Sequence, residues 1–284
     1  MVVPTSTPGP TATPIPQFAI PDLNNITQPT GQVNILILGS DYRSGGGFRT
    51  DVIMLLSLNP GKGTATLTSF PRDLYVSIPG IGMERINTAQ EYGGFYLTTA
   101  TFENNFGVTP NYYMMTNFNG FKGIVDTLGG IDVYAASTFK DTCSVRSLED
   151  GMGYCTIPAG YFHMDGETAL WYVRSRYSTS DFDRTRRTQE VITAIFQKLI
   201  SLNGLNRAAE LYSMFNSSVE TNIPLSEIIS LLPLASQLAN NTSSIRRYAI
   251  GASDTYNYVV PGSGAMVLIP DQNAVMSIIQ QALN

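Results

Sequence analysis

The residues best suited to chemistry in this chain are five arginines that lie between Arg174 and Arg187. Lysines number only four in all 284 residues. Arginine is preferred over lysine where a planar fork of donors must grip phosphate or carboxylate oxygens. The cluster therefore predicts a site for a compact anion. Because the whole chain carries a net charge of -5, it is not expected to be a general nucleic-acid binder, which has a basic excess over its binding domain.

The pattern of apolar residues assigns these arginines to two helices. Asp165 is a suitable N-cap for a helix over residues 166–173, and Arg174 and Arg176 follow the end of that helix. Asp181 or Asp183 can cap a longer helix that runs to about residue 200. The second group of arginines then falls in the first turns of this helix, where backbone N–H groups and the helix dipole also favour an anion.

Helical phase divides the second group of arginines. Arg184 and Arg187 are three positions apart and share a face, whereas Arg186 points away from that face and is expected to be solvated. The alternative is an ordinary helix start, in which the arginines pair with nearby carboxylates such as Asp183 and Glu190.

Two carboxylates flank a glycine-rich loop near the start of the chain. Asp41 follows the apolar run 33–38 and Asp51 precedes the apolar run 52–58, and both runs are typical of buried strands. If these strands are neighbours, both aspartates lie at the same edge of a sheet. One or two carboxylates, completed by water and phosphate oxygens, form the usual ligand set of Mg²⁺. The alternative is a turn in which aspartate serves only as a cap.

Strands and amphipathic helices alternate along the chain from residue 33. The run 52–58, the turn 59–63 and the run 64–69 together predict a hairpin. Further elements are predicted as helices over 88–106, ended by Gly107, and 118–128, and as strands over 112–116 and 131–134. This order predicts an α/β fold, a three-layer α/β/α sandwich around a central mixed β-sheet.

The first thirty residues are rich in proline and threonine and are uncharged before Asp22, which is typical of an extended linker. We expect the linker over residues 1–30 to join a single domain over 31–284 to a membrane anchor upstream. An ordinary floppy terminus is the alternative.

The two cysteines, Cys143 and Cys155, lie in a segment without further metal ligands, which disfavours zinc. A local disulfide is favoured and requires an oxidising, extracytoplasmic compartment. Two unrelated thiols in a reduced protein are the alternative. The single histidine, His163, has no Gly-x-Ser-x-Gly elbow to serve, and no P-loop motif is present.

Seven ordered blocks of sequence resemble the LytR-CpsA-Psr family of cell-wall glycopolymer transferases. The resemblance covers about residues 33–201. The blocks are LGSDYR, FRTDVIMLLSLNP, TSFPRDLYVSIPG, RINTAQEYGG, FNGFKGIVDTLGGIDV, LWYVRSRY and DFDRTRRTQEVI.

This resemblance implies an extracytoplasmic α/β/α domain tethered to the bacterial cytoplasmic membrane. Such proteins move a glycopolymer phosphate from a polyprenyl pyrophosphate donor to a peptidoglycan hydroxyl with the help of Mg²⁺. A polyprenyl phosphate binder, a pyrophosphatase and an envelope regulatory domain are the alternatives. None of these roles involves nucleic acid.

The resemblance also implies roles for individual residues. Asp41 and Asp51 match the metal-associated aspartates. The catalytic set comprises these two aspartates with Arg49, Arg72, Arg174, Arg176, Arg184 and Arg187. Substrate-binding roles are implied for Arg85, Asn87 and Gln189.

The chain departs from the family pattern at three places. Arg85 replaces a usual lysine, Thr188 stands where a glutamine is common, and the cysteine-containing insert over about 141–156 has no counterpart.

Overall fold

The computed structural model describes residues 21, 23, 26–41, 47–143, 145–176, 181–201 and 208–284. The predicted linker over residues 1–30 and the glycine-rich loop after Asp41 therefore lie largely outside the described residues. So does the side chain of Asp181, one of the two predicted helix caps.

Strands and helices alternate through the described chain. In order they are β1 (Val33–Ser40), β2 (Thr50–Asn59), β3 (Thr64–Phe70), β4 (Tyr75–Ile78), β5 (Gly82–Arg85), α1 (Ala89–Phe106), β6 (Tyr112–Asn117), α2 (Phe118–Thr127), β7 (Ile131–Ala135), β8 (Phe139–Thr142), β9 (Tyr154–Ile157), β10 (Gly160–Met164), α3 (Gly166–Arg174), α4 (Asp181–Ser201), α5 (Ala208–Phe215), β11 (Glu220–Thr221), α6 (Leu225–Asn240), β12 (Ile245–Ala249), β13 (Thr255–Val259), β14 (Met266–Pro270) and α7 (Gln272–Leu283).

Six strands form the central sheet, in the order β11-β6-β1-β2-β3-β12. The β1, β2 and β3 strands pair antiparallel in succession, whereas β6 joins β1 and β12 joins β3 in parallel. The sheet is therefore mixed, as predicted. The predicted hairpin is confirmed as β2 and β3, with Leu56 opposite Leu67.

Helices cover both faces of this sheet because alternate residues of each strand point to opposite sides. On one face, Leu36 and Leu55 belong to a core that includes Phe102 of α1 and Ile279 of α7. On the other face, Ala65 packs with α6, in a cluster that also contains side chains of β2 and α4. The predicted three-layer α/β/α sandwich is confirmed.

A second core lies beside the sheet, among α2, α3, α4 and the short strands β7 to β10. Val125, Ile131, Ala169 and Val191 are fully buried there. The strands β8, β9 and β10 are only four or five residues long and were not predicted. So short an apolar alternation resembles a loop in sequence, and its strand conformation depends on the tertiary pairing.

The long first helix is not continuous, contrary to the prediction of one helix over 88–106. Gly93 and Gly94 have non-helical backbone angles inside α1, and Gly94 has φ 60°. Glycine adopts this left-handed region without the steric penalty of a Cβ. Gly107 ends the helix as predicted, with φ 67°.

None of the helices in the described ranges is long and apolar enough to cross a bilayer.

Candidate active site

The two aspartates predicted to hold a metal lie at the same edge of the central sheet. The antiparallel pairing places Ser40, the last residue of β1, opposite Thr50, the first residue of β2, so Asp41 and Asp51 each follow one of these paired residues. Both residues line one cavity of about 220 Å³. The main chain of Arg49 holds Asp41, because Asp41 Oδ1 accepts the Arg49 N–H at 2.8 Å and the Arg49 carbonyl accepts the Asp41 N–H at 3.1 Å.

Arg72 reaches the same cavity from the end of β3. Its Nη1 donates to Asp51 Oδ1 at 2.7 Å, and its Nε donates to Asp73 Oδ2 at 3.3 Å. The side chains of Arg72 and Asp51 are 23% and 24% exposed, so this pair is partly shielded from water. A guanidinium held between two carboxylates keeps a defined orientation at the wall of the cavity.

Arg85 and Asn87, predicted to bind substrate, lie behind this wall and do not line the cavity. Arg85 Nε is 3.4 Å from Asp73 Oδ1, and its Nη2 donates to the carbonyl of Met266 at 2.8 Å. Asn87 is 2% exposed. Its N–H donates to the Arg72 carbonyl at 3.3 Å and its carbonyl accepts the Thr50 hydroxyl at 3.2 Å. Both residues thus brace the segment that carries Arg72.

Three arginines of the opening cluster, Arg174, Arg176 and Arg184, line the cavity from the opposite side. Arg174 is the last residue of α3, and its guanidinium lies over the ring of Phe118 at 4.0 Å. Such a cation–π contact orients the guanidinium while leaving its N–H groups available. Four arginines, including Arg72, therefore surround the two aspartates.

Arg187 differs from the prediction, because its side chain is fully buried and is not among the residues lining the cavity. Its guanidinium donates to the carbonyl of Tyr172, to the carbonyl of Ser175 at 2.6 Å, and to Asp183 Oδ2 at 3.1 Å. The carbonyls at the end of α3 lack helical partners and attract a cation. Burial lowers the pKa of Arg187, although the charge of Asp183 opposes this effect.

Arg186, predicted to be solvated, is 34% exposed and paired with carboxylates. Its guanidinium donates to Asp183 Oδ1 at 2.5 Å and also pairs with Glu190. Burial disfavours the charged form of Asp183, but the hydrogen bonds and charges of Arg186 and Arg187 outweigh this effect and lower the pKa of Asp183. The alternative of an ordinary helix start, in which arginines pair with nearby carboxylates, thus applies to Arg186. It applies in part to Arg187, which also pairs with Asp183.

Gln189, also predicted to bind substrate, instead joins α4 to the central sheet. It is 7% exposed, and its Nε2 donates to Ser69 Oγ and to the carbonyl of Tyr248, both at 2.8 Å. The preceding residue, Thr188, does line the cavity. The sequence did not indicate that Thr188 lines the cavity, because this residue stands where the family pattern has a glutamine.

Cys143 and Cys155 are joined by a disulfide across the β8–β9 hairpin, with their Cα atoms 5.6 Å apart. The hairpin packs against the end of α3, where Trp171 Nε1 donates to the carbonyl of Thr142 at 2.9 Å. Asp141, which is 2% exposed, accepts the Ser175 hydroxyl at 2.6 Å. Ser175 is therefore held by Asp141 on its side chain and by Arg187 on its carbonyl, and it lies between the cavity residues Arg174 and Arg176.

Replacing both Cys143 and Cys155 by serine is expected to lower the free energy of unfolding by roughly 2–3 kcal/mol, because the unfolded chain gains loop entropy. Urea unfolding of the oxidised protein and of the double variant measures this difference. Reductant should shift the midpoint of the wild type and leave the double variant unchanged. Equal midpoints for the two oxidised proteins would contradict the prediction.

The donor set around Asp41 and Asp51 fits a hard divalent cation. The described residues contain no group of three or more His, Cys, Asp or Glu side chains that could hold a metal by themselves. Two carboxylates beside a cavity lined by arginines suit Mg²⁺, which takes few protein ligands and completes its shell with water and phosphate oxygens. Arg49 supports this pair through its main chain, and a contact of its guanidinium with substrate stays a prediction.

Below the charged residues, the cavity is apolar. Ile37, Phe121, Val173 and Ile192 line it. Ile192 also lines a neighbouring apolar cavity of about 150 Å³, which shares Phe196 with a further cavity of about 290 Å³. This last cavity has an almost entirely apolar lining from α4, α5, α6 and the sheet face that includes Ile35. The charged residues therefore stand at one end of a series of apolar cavities between sheet and helices.

Fold and site together define an α/β/α protein with an arginine-lined cavity that continues into an apolar interior. The chain belongs to the LytR_cpsA_psr family, whose model matches residues 12–283.

Two relatives carry names that refer to teichoic acid transfer. The chain is 31% identical over 232 residues to the polyisoprenyl-teichoic acid–peptidoglycan teichoic acid transferase TagU of Oceanobacillus iheyensis, an alignment that covers 79% of this chain and 69% of TagU. It is 33% identical over 210 residues to TagT of Bacillus subtilis, covering 72% of this chain and 64% of TagT, which is less than two thirds of that relative.

Solved structures share the fold. B. subtilis TagV superposes with a TM-score of 0.73 and 26% identity, covering 89% of this chain and 95% of TagV. The structure of TagT bound to LI-WTA gives a TM-score of 0.68 and 27% identity, covering 94% of this chain and 96% of TagT.

Proposed function

We propose that this protein transfers a glycopolymer, with its phosphate, from a polyprenyl pyrophosphate carrier to a sugar hydroxyl of peptidoglycan. One observation carries the proposal. Asp41, Asp51, Arg72, Arg174, Arg176 and Arg184 line a single cavity whose interior is apolar. A diphosphate needs the charged residues, and a lipid chain needs the apolar ones. The names of the relatives TagT and TagU refer to the same reaction class.

In this proposal the four cavity arginines hold the oxygens of the diphosphate. Their role is electrostatic, because they neutralise charge that would otherwise repel an oxygen nucleophile. Arg72 is oriented before substrate arrives by two carboxylates, and Arg174 by the ring of Phe118. Asp41 and Asp51 would hold Mg²⁺, which supplies further positive charge against the phosphate oxygens when it is bound.

The reaction is a displacement at the phosphorus that bears the glycan. The acceptor hydroxyl oxygen forms the new P–O bond, and the bond from that phosphorus to the bridging oxygen breaks. The bridging oxygen leaves with its electron pair as part of polyprenyl monophosphate. The hydroxyl proton passes to a cavity carboxylate. We assign this role to Asp41, which is held by a backbone N–H, because Asp51 is engaged by Arg72.

The isoprenoid chain of the donor would occupy the apolar cavities below the site. Their shared residues Ile192 and Phe196 mark a path from the arginines to the cavity of about 290 Å³. Burying apolar surface contributes about 25 cal/mol per Å², so a chain lodged there supplies affinity that the diphosphate alone does not.

Replacing Ala235 by phenylalanine tests this path, because Ala235 lines both deeper cavities. The larger side chain is expected to raise KM for a long-chain donor by about tenfold and to leave KM for a short-chain donor within about twofold. Steady-state transfer with two donors that differ only in isoprenoid length measures this. An equal rise for both donors would show that the variant disturbs the arginine-lined cavity itself.

One incubation separates transfer from the alternatives. The protein is mixed with a synthetic polyprenyl-diphosphate glycan, Mg²⁺ and a peptidoglycan oligosaccharide, and the products are analysed by mass spectrometry. Covalent glycan on the acceptor supports transfer. Release of lipid phosphate without attachment would indicate a pyrophosphatase. Neither product, together with bound donor, would indicate a binding or regulatory domain.

The proposed reaction places the protein outside the cytoplasm, since the acceptor is cell-wall glycan. A disulfide between Cys143 and Cys155 suits such an oxidising compartment. Attachment to the cytoplasmic membrane, where the donor resides, completes this proposal.

A further inference from the structure

A second polar cavity adjoins the arginine-lined one. It has a volume of about 680 Å³, and its lining shares Ser40, Thr116 and Asn117 with the arginine-lined cavity. These residues end the parallel strands β1 and β6, at the edge where Asp41 also lies. The two cavities therefore meet beside the proposed reaction centre. We call the second one the polar groove.

The walls of the polar groove come from two segments that are far apart in the sequence and that no sequence motif linked. Gln90 and Gly94 form one wall, at the kink of α1, and Asn216 and Ser217 form the other, ahead of β11. The loop of the second wall is fixed to the sheet, because the Thr116 hydroxyl donates to the carbonyl of Ser218 at 2.7 Å.

The chemistry of the polar groove differs from that of its neighbour. Seven of its twelve described lining residues carry an amide or hydroxyl side chain, beside the apolar side chains of Phe48, Met115 and Val219. The described lining contains neither lysine nor arginine. The described lining contains one carboxylate, that of Glu220, which accepts a hydrogen bond from the Tyr113 hydroxyl at 2.7 Å. Amide and hydroxyl groups both donate and accept hydrogen bonds, and this suits an uncharged, polyhydroxylated ligand.

We propose that the polar groove binds sugar residues of the acceptor glycan and directs their hydroxyl at the diphosphate. This inference rests on the proposed function and adds the place of its second substrate. The shared residues Ser40, Thr116 and Asn117 bring a sugar bound in the groove next to the arginine-lined cavity. The donor glycopolymer is linked through phosphate, and the lysine- and arginine-free lining that the described residues form gives that anion no attraction.

Replacing Ser217 by tryptophan tests the proposal. Ser217 is exposed, belongs to no helix or strand, and does not line the arginine-lined cavity. A tryptophan there narrows the groove while the donor site stays intact. The matched control is Ser213→Trp, an exposed serine four positions earlier on α5 that does not line the groove. Initial rates of transfer are measured while the peptidoglycan oligosaccharide and the polyprenyl-diphosphate donor are varied in turn.

Ser217→Trp is expected to raise KM for the acceptor by about tenfold and to leave KM for the donor within about twofold, while Ser213→Trp changes neither beyond that range. A rise in donor KM with unchanged acceptor KM would overturn the proposal and assign the groove to the donor glycan. Unchanged values for both substrates would also overturn it.

Calorimetric titration of the same oligosaccharide into wild type and Ser217→Trp separates this proposal from the proposed function. If wild type transfers nothing but binds the oligosaccharide, and Ser217→Trp does not, the proposed function fails while the groove assignment holds. If wild type transfers and both proteins bind equally, the groove assignment fails alone.

Discussion

Replacing Arg187 by methionine is expected to lower the free energy of unfolding by about 3 kcal/mol, near the lower end of what removing one partner from a buried pair costs. The side chain is fully buried, and its loss leaves the carbonyls of Tyr172 and Ser175 without their donor. The effect is not larger because Asp183, the remaining charged partner, is 27% exposed and can be hydrated. Urea unfolding followed by circular dichroism measures the change.

Arg174→Met is the reciprocal control. Arg174 is exposed and lines the cavity, so its replacement should change the free energy of unfolding by less than about 1 kcal/mol while most transfer is lost. Comparing the two variants distinguishes an arginine that stabilises the fold from one that acts on substrate. If Arg187→Met unfolds at the wild-type urea concentration but no longer transfers, Arg187 acts on substrate and its assignment to the fold is wrong.

Asp51→Asn is expected to reduce the rate of transfer by about 10²- to 10³-fold, the range typical of a group that stabilises charge in a transition state. The amide removes the negative charge that holds Arg72 at 2.7 Å and that would bind Mg²⁺. The Mg²⁺ concentration that gives half-maximal transfer should rise as well. Initial rates over a Mg²⁺ titration measure both effects.

Asp73→Asn is the matched control, because Asp73 also contacts Arg72 but does not line the arginine-lined cavity. We expect it to reduce transfer by less than about tenfold and to leave the Mg²⁺ dependence unchanged. A loss as large as that of Asp51→Asn would mean that Asp51 acts only by orienting Arg72, and the metal assignment would then fail.

Much of the fold was predictable because its signals are local. The apolar runs of β1 and β2 and the turn between β2 and β3 are continuous in sequence, and Gly107 ends α1 as its position suggested. The short strands β8 to β10 were missed because four or five residues carry too little periodicity. Their conformation depends on pairing with distant strands and on packing against α3.

The residues of the candidate site also fall into those that the sequence could predict and those that it could not. The placement of Asp41, Asp51 and Arg174 at one cavity could be predicted from residue type and position next to strand and helix ends, and that of Arg72 from the family resemblance. The placement of Arg85, Asn87 and Gln189 away from the cavity lining could not, because a polar side chain that braces the wall of a cavity resembles in sequence one that binds substrate. Thr188 and the residues of the polar groove carried no signal, since uncharged polar side chains are common in loops and helices.

By itself the sequence determined the family, the order of the main elements and the presence of an arginine-rich cluster and of paired carboxylates. Only the tertiary structure decided which arginines face that site. Successive residues of a helix point about 100° apart, so Arg186 had to point away from Arg184 and Arg187, which lie about 60° apart on one face and still have different surroundings. Those surroundings are the cavity for Arg184, Asp183 and Glu190 for Arg186, and the carbonyls at the end of α3 for Arg187. Helical phase set Arg186 apart but left Arg184 and Arg187 on one face, and only the packing of α3 against α4 could place carbonyl oxygens where the buried guanidinium of Arg187 binds them.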